Sequence, residues 1–183
     1  MTRIVAGRFK GRRLHTPAGD VTRPTSDRVR ESLFASLVSE FGGLEGLRVL
    51  DLFAGSGAIG LEAVSRGATL VDLVEHDRRA VQVVRRNATD LGAGVARVHL
   101  STAQRFLRTA PAEPYHLVVL DPPYGMATQD VTGLVEVLAD PSWCVPDGLL
   151  VVERSTRDPF VWPASVTPLR DRAYGETTLW YGR

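Results

Sequence analysis

Cysteine is nearly absent from this sequence of 183 residues, which contains only Cys144. A single cysteine excludes an internal disulfide and a zinc site built from cysteines. The four histidines lie far apart and show no metal-ligand spacing; they are His15, His76, His99 and His116. We therefore expect no metal site.

Long apolar runs are also absent. No stretch approaches the roughly 18 apolar residues that a membrane span needs, and residues 1–8 lack the apolar core of a signal peptide. Apolar residues make up 44% and charged residues 23% of the chain, close to the globular average, which excludes a disordered or collagen-like protein. We expect a cytoplasmic protein of about one domain, with a small extension and no membrane partner.

The near-neutral net charge of +1 conceals an uneven distribution. Residues 1–30 carry eight basic and two acidic side chains, a net charge of +6, and the rest of the chain has a net charge of −5. A basic end on an acidic body is typical of a surface that meets a polyanion. A solvated surface is the plainer alternative, because most charge runs make no specific contact.

Short apolar strands alternate with amphipathic helices along most of the chain. The predicted strands are 48–53, 70–75, 95–99, 116–121 and 148–153, and the predicted helices are 58–66, 78–91, 102–109 and 129–139. This alternation is typical of a parallel sheet with helices on both faces. Two further strands, 165–172 and 176–182, follow with no helix between them and predict an antiparallel hairpin at the end of the sheet.

The start of the chain predicts a hairpin-like extension, a linker and a helix. The two short strands of the extension are 3–6 and 12–16, and the linker is 17–24. The helix is expected to begin near Thr25 or Ser26, either of which can cap it, and to end at a glycine pair.

A glycine-rich turn follows the first strand of the predicted sheet. Residues 55–60 match G-x-G-x-x-G, and Glu75 ends the next strand, 20 residues after Gly55. Glycines let the backbone approach a ligand closely, and the carboxylate can accept hydrogen bonds from two ribose hydroxyls. The pattern fits a nicotinamide dinucleotide and also the adenosyl part of S-adenosylmethionine. Asp51, inside the first strand, favours the second because a carboxylate there could hold an ammonium group.

The tetrapeptide Asp121-Pro122-Pro123-Tyr124 follows the fourth strand, at the sheet edge where open α/β folds bind ligands. The prolines stiffen the backbone and remove two amide donors, which leaves rigid carbonyl acceptors. Asp121 adds an acceptor, and Tyr124 adds a flat face for stacking. These groups suit the amine of a nucleobase, which they would orient toward a methyl group. The plainer alternative is a stiff turn that binds nothing.

Two motifs, D-x-F-x-G-x-G at 51–57 and DPPY at 121–124, resemble the class I S-adenosylmethionine-dependent methyltransferases that modify exocyclic amines of bases. Longer matches are R-I-V-A-G-R-F-K-G-R-R-L at 3–14, R-P-T-S-D-R-V-R-E-S-L-F at 23–34 and R-V-L-D-L-F-A-G-S-G-A-I-G-L-E-A at 48–63. In this order and spacing they resemble the RsmD-type 16S rRNA (guanine-N2-)-methyltransferases. The similarity covers nearly the whole chain and is weakest from about residue 155 onward.

The resemblance implies a Rossmann-like α/β fold with a seven-stranded, mostly parallel sheet and an antiparallel terminal hairpin. We expect residues 1–22 to form a basic N-terminal β-hairpin extension and linker, and residues 23–183 to form the methyltransferase domain. The implied activity is methylation of the N2 amine of one guanine in 16S rRNA, on an assembled or nearly assembled 30S particle, with S-adenosylmethionine as cofactor. We expect a monomer.

The resemblance also implies site residues, by position. The expected catalytic residues, which would grip the target base, are Asp121, Pro122, Pro123 and Tyr124. The expected cofactor-binding residues are Asp51, Phe53, Ala54, Gly55, Gly57, Glu75, His76, Thr102, Ala103 and Asp121. One departure is that Ser101-Thr102-Ala103 stands where these methyltransferases commonly have an Asp-Ala pair whose acid binds the adenine amine.

The basic extension would contact RNA phosphates. A target base in a structured loop must be splayed out at a cost of a few kcal/mol, which such contacts can offset. The expected RNA-binding residues are Arg3, Arg8, Phe9, Lys10, Arg12, Arg13, Arg28 and Arg30.

Three alternative functions remain open at the level of sequence. A DNA adenine-N6 methyltransferase shares DPPY but typically carries a separate recognition domain, for which this chain leaves little room. A nicotinamide-dependent oxidoreductase matches the glycine turn but leaves DPPY unexplained. A non-catalytic RNA-binding module leaves the glycine turn itself unexplained.

Overall fold

The computed structural model describes residues 2–17 and 27–183. Within them the strands are β1 (Arg48–Asp51), β2 (Leu70–Glu75), β3 (Ala96–Leu100), β4 (Tyr115–Leu120), β5 (Cys144–Ser155), β6 (Pro168–Tyr174) and β7 (Thr177–Gly182). The helices are α1 (Asp27–Phe41), α2 (Ala58–Ser65), α3 (Arg78–Leu91), α4 (Ala103–Phe106) and α5 (Thr128–Leu138).

The strands form one sheet in the order β3-β2-β1-β4-β5-β7-β6. Strands β1 to β5 pair in parallel, and β7 runs antiparallel to both β5 and β6. The predicted fold class, a mostly parallel seven-stranded sheet with an antiparallel terminal hairpin, is confirmed.

Two apolar layers explain why the central strands carry apolar side chains on both faces. Successive side chains of a strand point to opposite faces, and in β1 Val49 belongs to one buried cluster and Leu50 to the other. Helices α1, α2 and α3 contribute to the first cluster, and α4 and α5 to the second. Helix α1 buries Val29, Leu33 and Leu37, which follow one another at four-residue steps and so lie on one face of the helix.

Element boundaries differ from the predicted ones by a few residues. Strand β5 is longer than the predicted 148–153, because Cys144 already pairs with Tyr115 ahead of a register shift. Helix α4 is a single turn instead of the predicted 102–109. The predicted capping residues of α1 and the predicted linker from residue 18 onward lie outside the described residues.

The N-terminal segment, residues 2–17, packs against the body of the protein. Its expected pair of strands is reduced to one antiparallel bridge between Arg3 and Arg13. Ile4 and Leu14 are 1% and 5% exposed and belong to the core cluster that α1 and α2 help to form. The segment therefore shares the core of the sheet and helices.

No helix among the described residues has the length and apolar character needed to cross a lipid bilayer.

Candidate active site

Three carboxylates converge at the carboxyl edge of the sheet. Asp51, at the end of β1, lies level with Leu73 of β2 and Val119 of β4. Glu75 and Asp121 each lie two residues further along the neighbouring strands, and side chains two residues apart in a strand share a face. Asp51 therefore occupies a recess that the other two carboxylates flank, and the negative charges of both raise its pKa.

Asp51 is 1% exposed, and one of its oxygens accepts a hydrogen bond from the Gly60 N–H at 3.0 Å. Its Oδ1 is buried and has no hydrogen-bond partner among the described residues. Burial raises the pKa of this carboxyl to about 7, and the charges of Asp121 and Glu75 add to the rise, whereas the backbone N–H groups of Gly60 and Phe53 oppose it. A cationic group at this oxygen would satisfy the acceptor and favour the ionised form. The site thus fits the ammonium group expected of the cofactor.

Glycines shape both the turn between β1 and α2 and the packing of α2 itself. Gly57 precedes α2 with a φ of 81°, a left-handed conformation that side chains disfavour. At Gly60 a Cβ atom would lie 2.6 Å from Cδ2 of Leu73, so only glycine lets α2 approach β2 this closely. Helix α2 therefore begins directly against the carboxyl edge of the sheet.

Glu75 links the glycine turn to the end of β2. One carboxylate oxygen accepts from the Gly55 N–H at 2.9 Å, and the other accepts from the Asp77 N–H at 2.8 Å. Nδ1 of His76 lies 3.0 Å from the second oxygen. A carboxylate offers about four lone-pair positions. Glu75 can therefore hold the turn and still accept hydrogen bonds from ribose hydroxyls.

A cavity of about 190 Å³ opens beside this turn. It is lined by six of the predicted site residues, namely Phe53, Glu75, His76, Thr102, Ala103 and Pro123, and by Leu52, Val74, Ser101, Gln104 and Met126. Phe53 after β1, Glu75 of β2 and Pro123 of the tetrapeptide therefore line one cavity. A larger cavity of about 510 Å³ between α3 and β3 is lined by no predicted residue.

Five residues that line the cavity were not predicted as site residues: Leu52, Val74, Ser101, Gln104 and Met126. Ser101 and Gln104 flank the predicted pair Thr102-Ala103 just after β3, and Met126 lies two residues after the tetrapeptide. Their positions near the carboxyl edge of the sheet could have identified them as candidate cavity residues. Thr102, which stands in place of the usual acid, uses its hydroxyl to accept the Arg105 N–H and so caps α4.

The tetrapeptide leaves β4 at the same edge. The Tyr124 ring is 46% exposed, and its hydroxyl lies 3.4 Å from Oγ1 of Thr177 at the start of β7. The Pro123 carbonyl accepts the Met126 N–H at 2.9 Å and so closes a turn. The prolines were expected to leave carbonyl groups that accept from a ligand, but the Pro123 carbonyl already accepts a hydrogen bond within the loop.

Arg154 of β5, which was not predicted as a site residue, holds the loop that follows the tetrapeptide. It is 2% exposed, and Nη2 donates to the Met126 carbonyl and to Oγ1 of Thr128, each at 3.1 Å. The same nitrogen is paired with Asp158. The loop after the tetrapeptide is therefore fixed to the end of the neighbouring strand.

Most of the expected RNA-binding residues form an exposed basic loop. Arg8, Lys10, Arg12 and Arg13 are exposed, and the Arg8 guanidinium lies 4.5 Å from the centre of the half-buried Phe9 ring. Arg12 also donates to the carbonyl of Asp90 at 2.7 Å. Arg3 and Arg28 are exposed as well, Arg3 being paired with Asp27 at 3.3 Å.

Arg30 corrects the expectation of an exposed cation. Its side chain is 1% exposed, donates to the Arg3 carbonyl and pairs with Asp27 at 2.9 Å. Arg30 therefore ties α1 to the N-terminal segment, and we leave it out of the RNA-contacting surface. Helix α1 is buried over more than the stripe of Val29, Leu33 and Leu37, and Arg30 lies on this wider buried surface together with Phe34.

Among the described residues, no group of three or more His, Cys, Asp or Glu side chains is placed to hold a metal ion.

Comparison with known proteins identifies relatives along nearly the whole chain. The family model described as conserved hypothetical protein 95 matches residues 2–183. Ribosomal RNA small subunit methyltransferase D of Escherichia coli K12 is 38% identical over 176 residues, which are 95% of this chain and 85% of that protein.

Two solved structures share the fold. The putative methyltransferase yhhF from Escherichia coli has a TM-score of 0.83 and 36% identity, and covers 98% of this chain and 96% of its own. An RNA methyltransferase from Salinibacter ruber in complex with S-adenosyl-L-homocysteine has a TM-score of 0.65 and 19% identity, over 86% of this chain and 91% of its own, a likeness of fold alone. With its sheet order, glycine turn and carboxyl-edge site, the chain belongs to the family described as conserved hypothetical protein 95.

Proposed function

We propose that this protein transfers a methyl group from S-adenosylmethionine to the N2 amine of one guanine in small-subunit rRNA. The observation that carries the proposal is the shared cavity, where the cofactor-type residues Phe53 and Glu75 meet Pro123 of the DPPY tetrapeptide. Membership of the family and the 38% identity to an rRNA small subunit methyltransferase support the enzyme class. We further propose that the protein is a cytoplasmic monomer.

The residues at the edge of the sheet fit the proposed cofactor. Asp51, with its unpartnered buried oxygen, would hold the ammonium group, and Glu75 would hold the ribose hydroxyls. Apolar side chains of the cavity, such as Leu52, Phe53 and Met126, would hold the adenine. When bound, S-adenosylmethionine supplies a methyl group activated by the adjacent positive sulfur.

The tetrapeptide would bind the target base. Tyr124, almost half exposed, offers a face for stacking, and Asp121 offers acceptor oxygens for the exocyclic amine. An aromatic amine is a poor nucleophile because its lone pair is delocalised into the ring. Hydrogen bonds from both amine hydrogens to fixed acceptors localise that lone pair and orient it. After methylation the amine loses one proton, which Asp121 or water accepts.

The test is methyl transfer from labelled S-adenosylmethionine to 30S subunits, naked 16S rRNA and double-stranded DNA in parallel, followed by nucleoside analysis. We expect N2-methylguanosine and the strongest labelling on the assembled or nearly assembled 30S particle. N6-methyladenine in DNA would instead support the DNA methyltransferase. Absence of label with all three substrates, together with tight binding of NADH, would support the oxidoreductase.

A further inference from the structure

Asn87 of α3 contacts the N-terminal segment and the glycine turn at once. Its Oδ1 accepts the His15 N–H at 2.8 Å, and its Nδ2 donates to the His15 carbonyl at 3.0 Å. The same Nδ2 donates to the carbonyl of Ser56, which lies between Gly55 and Gly57, also at 3.0 Å. The side chain is 1% exposed. One buried amide thus bridges the segment that carries the basic loop and the turn that frames the cofactor site.

Side chains of α2 hold the rest of the segment. The buried carboxylate of Glu62 accepts the N–H groups of Val5 and Ala6 at 2.7 and 2.9 Å. Ser65 accepts the Phe9 N–H at 2.9 Å and donates to the Ala6 carbonyl. The segment is therefore seated on the helix that begins at the glycine turn, but these contacts lie at the far end of that helix.

The hydrogen bonds of Asn87 couple the position of the N-terminal segment to the conformation of the glycine turn. If His15 moves away, the amide keeps one partner, the Ser56 carbonyl, and its buried oxygen loses the His15 N–H, its donor among the described residues. A buried polar group without a partner costs about 1–3 kcal/mol, so the amide is no longer held firmly in the orientation that donates to Ser56. The Ser56 carbonyl and the Gly57 N–H belong to the same peptide plane, and that N–H donates to the Ala54 carbonyl at 2.6 Å. Release of the segment would therefore leave the central peptide of the turn less firmly fixed, held by the Gly57 N–H bond to Ala54.

We propose that Asn87 is a positioning residue that couples RNA binding at the N-terminal basic loop to cofactor binding at the glycine turn. The inference rests on the proposed function, because it takes RNA as the ligand of the loop and S-adenosylmethionine as the ligand of the turn. RNA phosphates hold the loop, the loop holds His15 in place, and Asn87 then holds the turn in its binding conformation. The coupling is positive, since each ligand stabilises the conformation that the other requires.

Reciprocity makes the proposal measurable. If RNA tightens cofactor binding by some factor, the cofactor must tighten RNA binding by the same factor. We call this the coupling factor and expect it to be about five or more in the wild-type protein, at the lower end of typical couplings.

The experiment measures the Kd of S-adenosylhomocysteine with and without 30S subunits, and the Kd of 30S subunits with and without S-adenosylhomocysteine. The variants are Asn87→Ala, which loses all three hydrogen bonds, and Asn87→Asp, which keeps the acceptor for the His15 N–H and loses both donors. We expect the coupling factor to fall to about one in both. Ser65→Ala is the matched control, because it loosens the segment without touching the turn. It should weaken RNA binding and leave a coupling factor above one.

Several outcomes would overturn the inference. A coupling factor of one in the wild-type protein does so without any variant, and an unchanged factor in Asn87→Ala does so directly. Should both Asn87 variants fail to fold, hydrogen exchange of the Gly57 amide in the wild type decides, because 30S binding must slow it. Failure of the proposed function is distinguishable, since the protein would then methylate no RNA. A coupling factor of one in an enzyme that does methylate RNA would contradict only the proposed role of Asn87 and leave the proposed function intact.

Discussion

Asp51 carries an energetic penalty in the free protein that its proposed ligand, the ammonium group of the cofactor, would relieve. A carboxyl that is 1% exposed and faces two further acids would ordinarily be replaced or paired. Here one oxygen is held by the first turn of α2 and the other has no partner among the described residues. A cationic ligand relieves this arrangement, so the unfavourable burial in the free protein becomes part of the affinity for the ligand.

The raised pKa of Asp51 predicts a pH-dependent affinity. Near pH 6 the carboxyl, with a pKa of about 7, is mostly protonated in the free protein, whereas a bound ammonium group favours the carboxylate. Binding below pH 7 must therefore release a proton, and the affinity should fall by up to about ten-fold for each unit of decreasing pH. Calorimetric titration with S-adenosylhomocysteine, in buffers of different ionisation enthalpy, measures both quantities. Asp51→Asn should bind weakly with a flat profile, and a flat profile in the wild type would contradict the prediction.

Asp121 is predicted to act on the target base more than on the cofactor. Asp121→Ala removes the acceptor that orients the amine, and we expect kcat to fall by about 10²-fold or more. The Kd of S-adenosylhomocysteine should change by less than about three-fold, a difference below 1 kcal/mol. Single-turnover methylation and calorimetry separate the two effects. Equal losses in both would assign Asp121 to the cofactor.

At the scale of elements, α2 connects the two ligand regions. Its first turn binds Asp51 through Gly60, and its later residues Glu62 and Ser65 hold the N-terminal segment. The helix packs closely on β2 only because position 60 has no side chain. A change in this packing should therefore affect stability and cofactor binding together.

The two glycines inside helices predict opposite responses to the same substitution. Gly60→Ala places a Cβ 2.6 Å from Cδ2 of Leu73 and should destabilise the protein by about 1–3 kcal/mol. Gly133→Ala, in α5, meets no atom within 4 Å and should stabilise by up to about 1 kcal/mol through helix propensity. Urea unfolding of both variants measures the difference. Similar stabilities would mean that β2 yields to the added methyl group.

At the scale of the whole molecule, the N-terminal segment contributes apolar side chains to the core and also carries the exposed basic side chains of the basic loop. Deleting residues 1–20 would remove Ile4 and Leu14 from the core and leave the buried Glu62 without the two backbone donors of the segment. Truncation would therefore damage folding as well as RNA binding. Substitution of exposed charges is the cleaner test of the surface.

The triple variant Arg8→Gln, Lys10→Gln, Arg13→Gln should weaken RNA binding and its salt dependence. Each lost phosphate contact reduces the slope of log K against log[salt] by about 0.7, so three contacts reduce it by about 2. Fluorescence titration of a 16S rRNA fragment at several salt concentrations measures the slope. Arg172→Gln, an exposed change on the edge strand β6, is the control and should leave the slope unchanged. A slope equal to that of the wild type would show that the loop is only solvated.

Local patterns were sufficient to predict the architecture. Apolar runs such as 70–75 and the helical spacing of Val81 and Val84 report burial over a few residues, and the predicted helix 78–91 agrees with α3 from end to end. The prediction was less accurate for β5, whose start depends on pairing with a distant strand, and for α4, which begins after its Thr102 cap but ends at Phe106 after a single turn.

The sequence by itself determined the succession of strands and helices along the chain, the glycine turn and the tetrapeptide, because each is encoded by neighbouring residues. Tertiary structure alone decided that Arg30 is buried, that Asp51 has a raised pKa and that Asn87 bridges residues 15 and 56. These properties depend on which groups from distant parts of the chain exclude water together. Burial and electrostatic environment are set by that packing, and no local pattern specifies it.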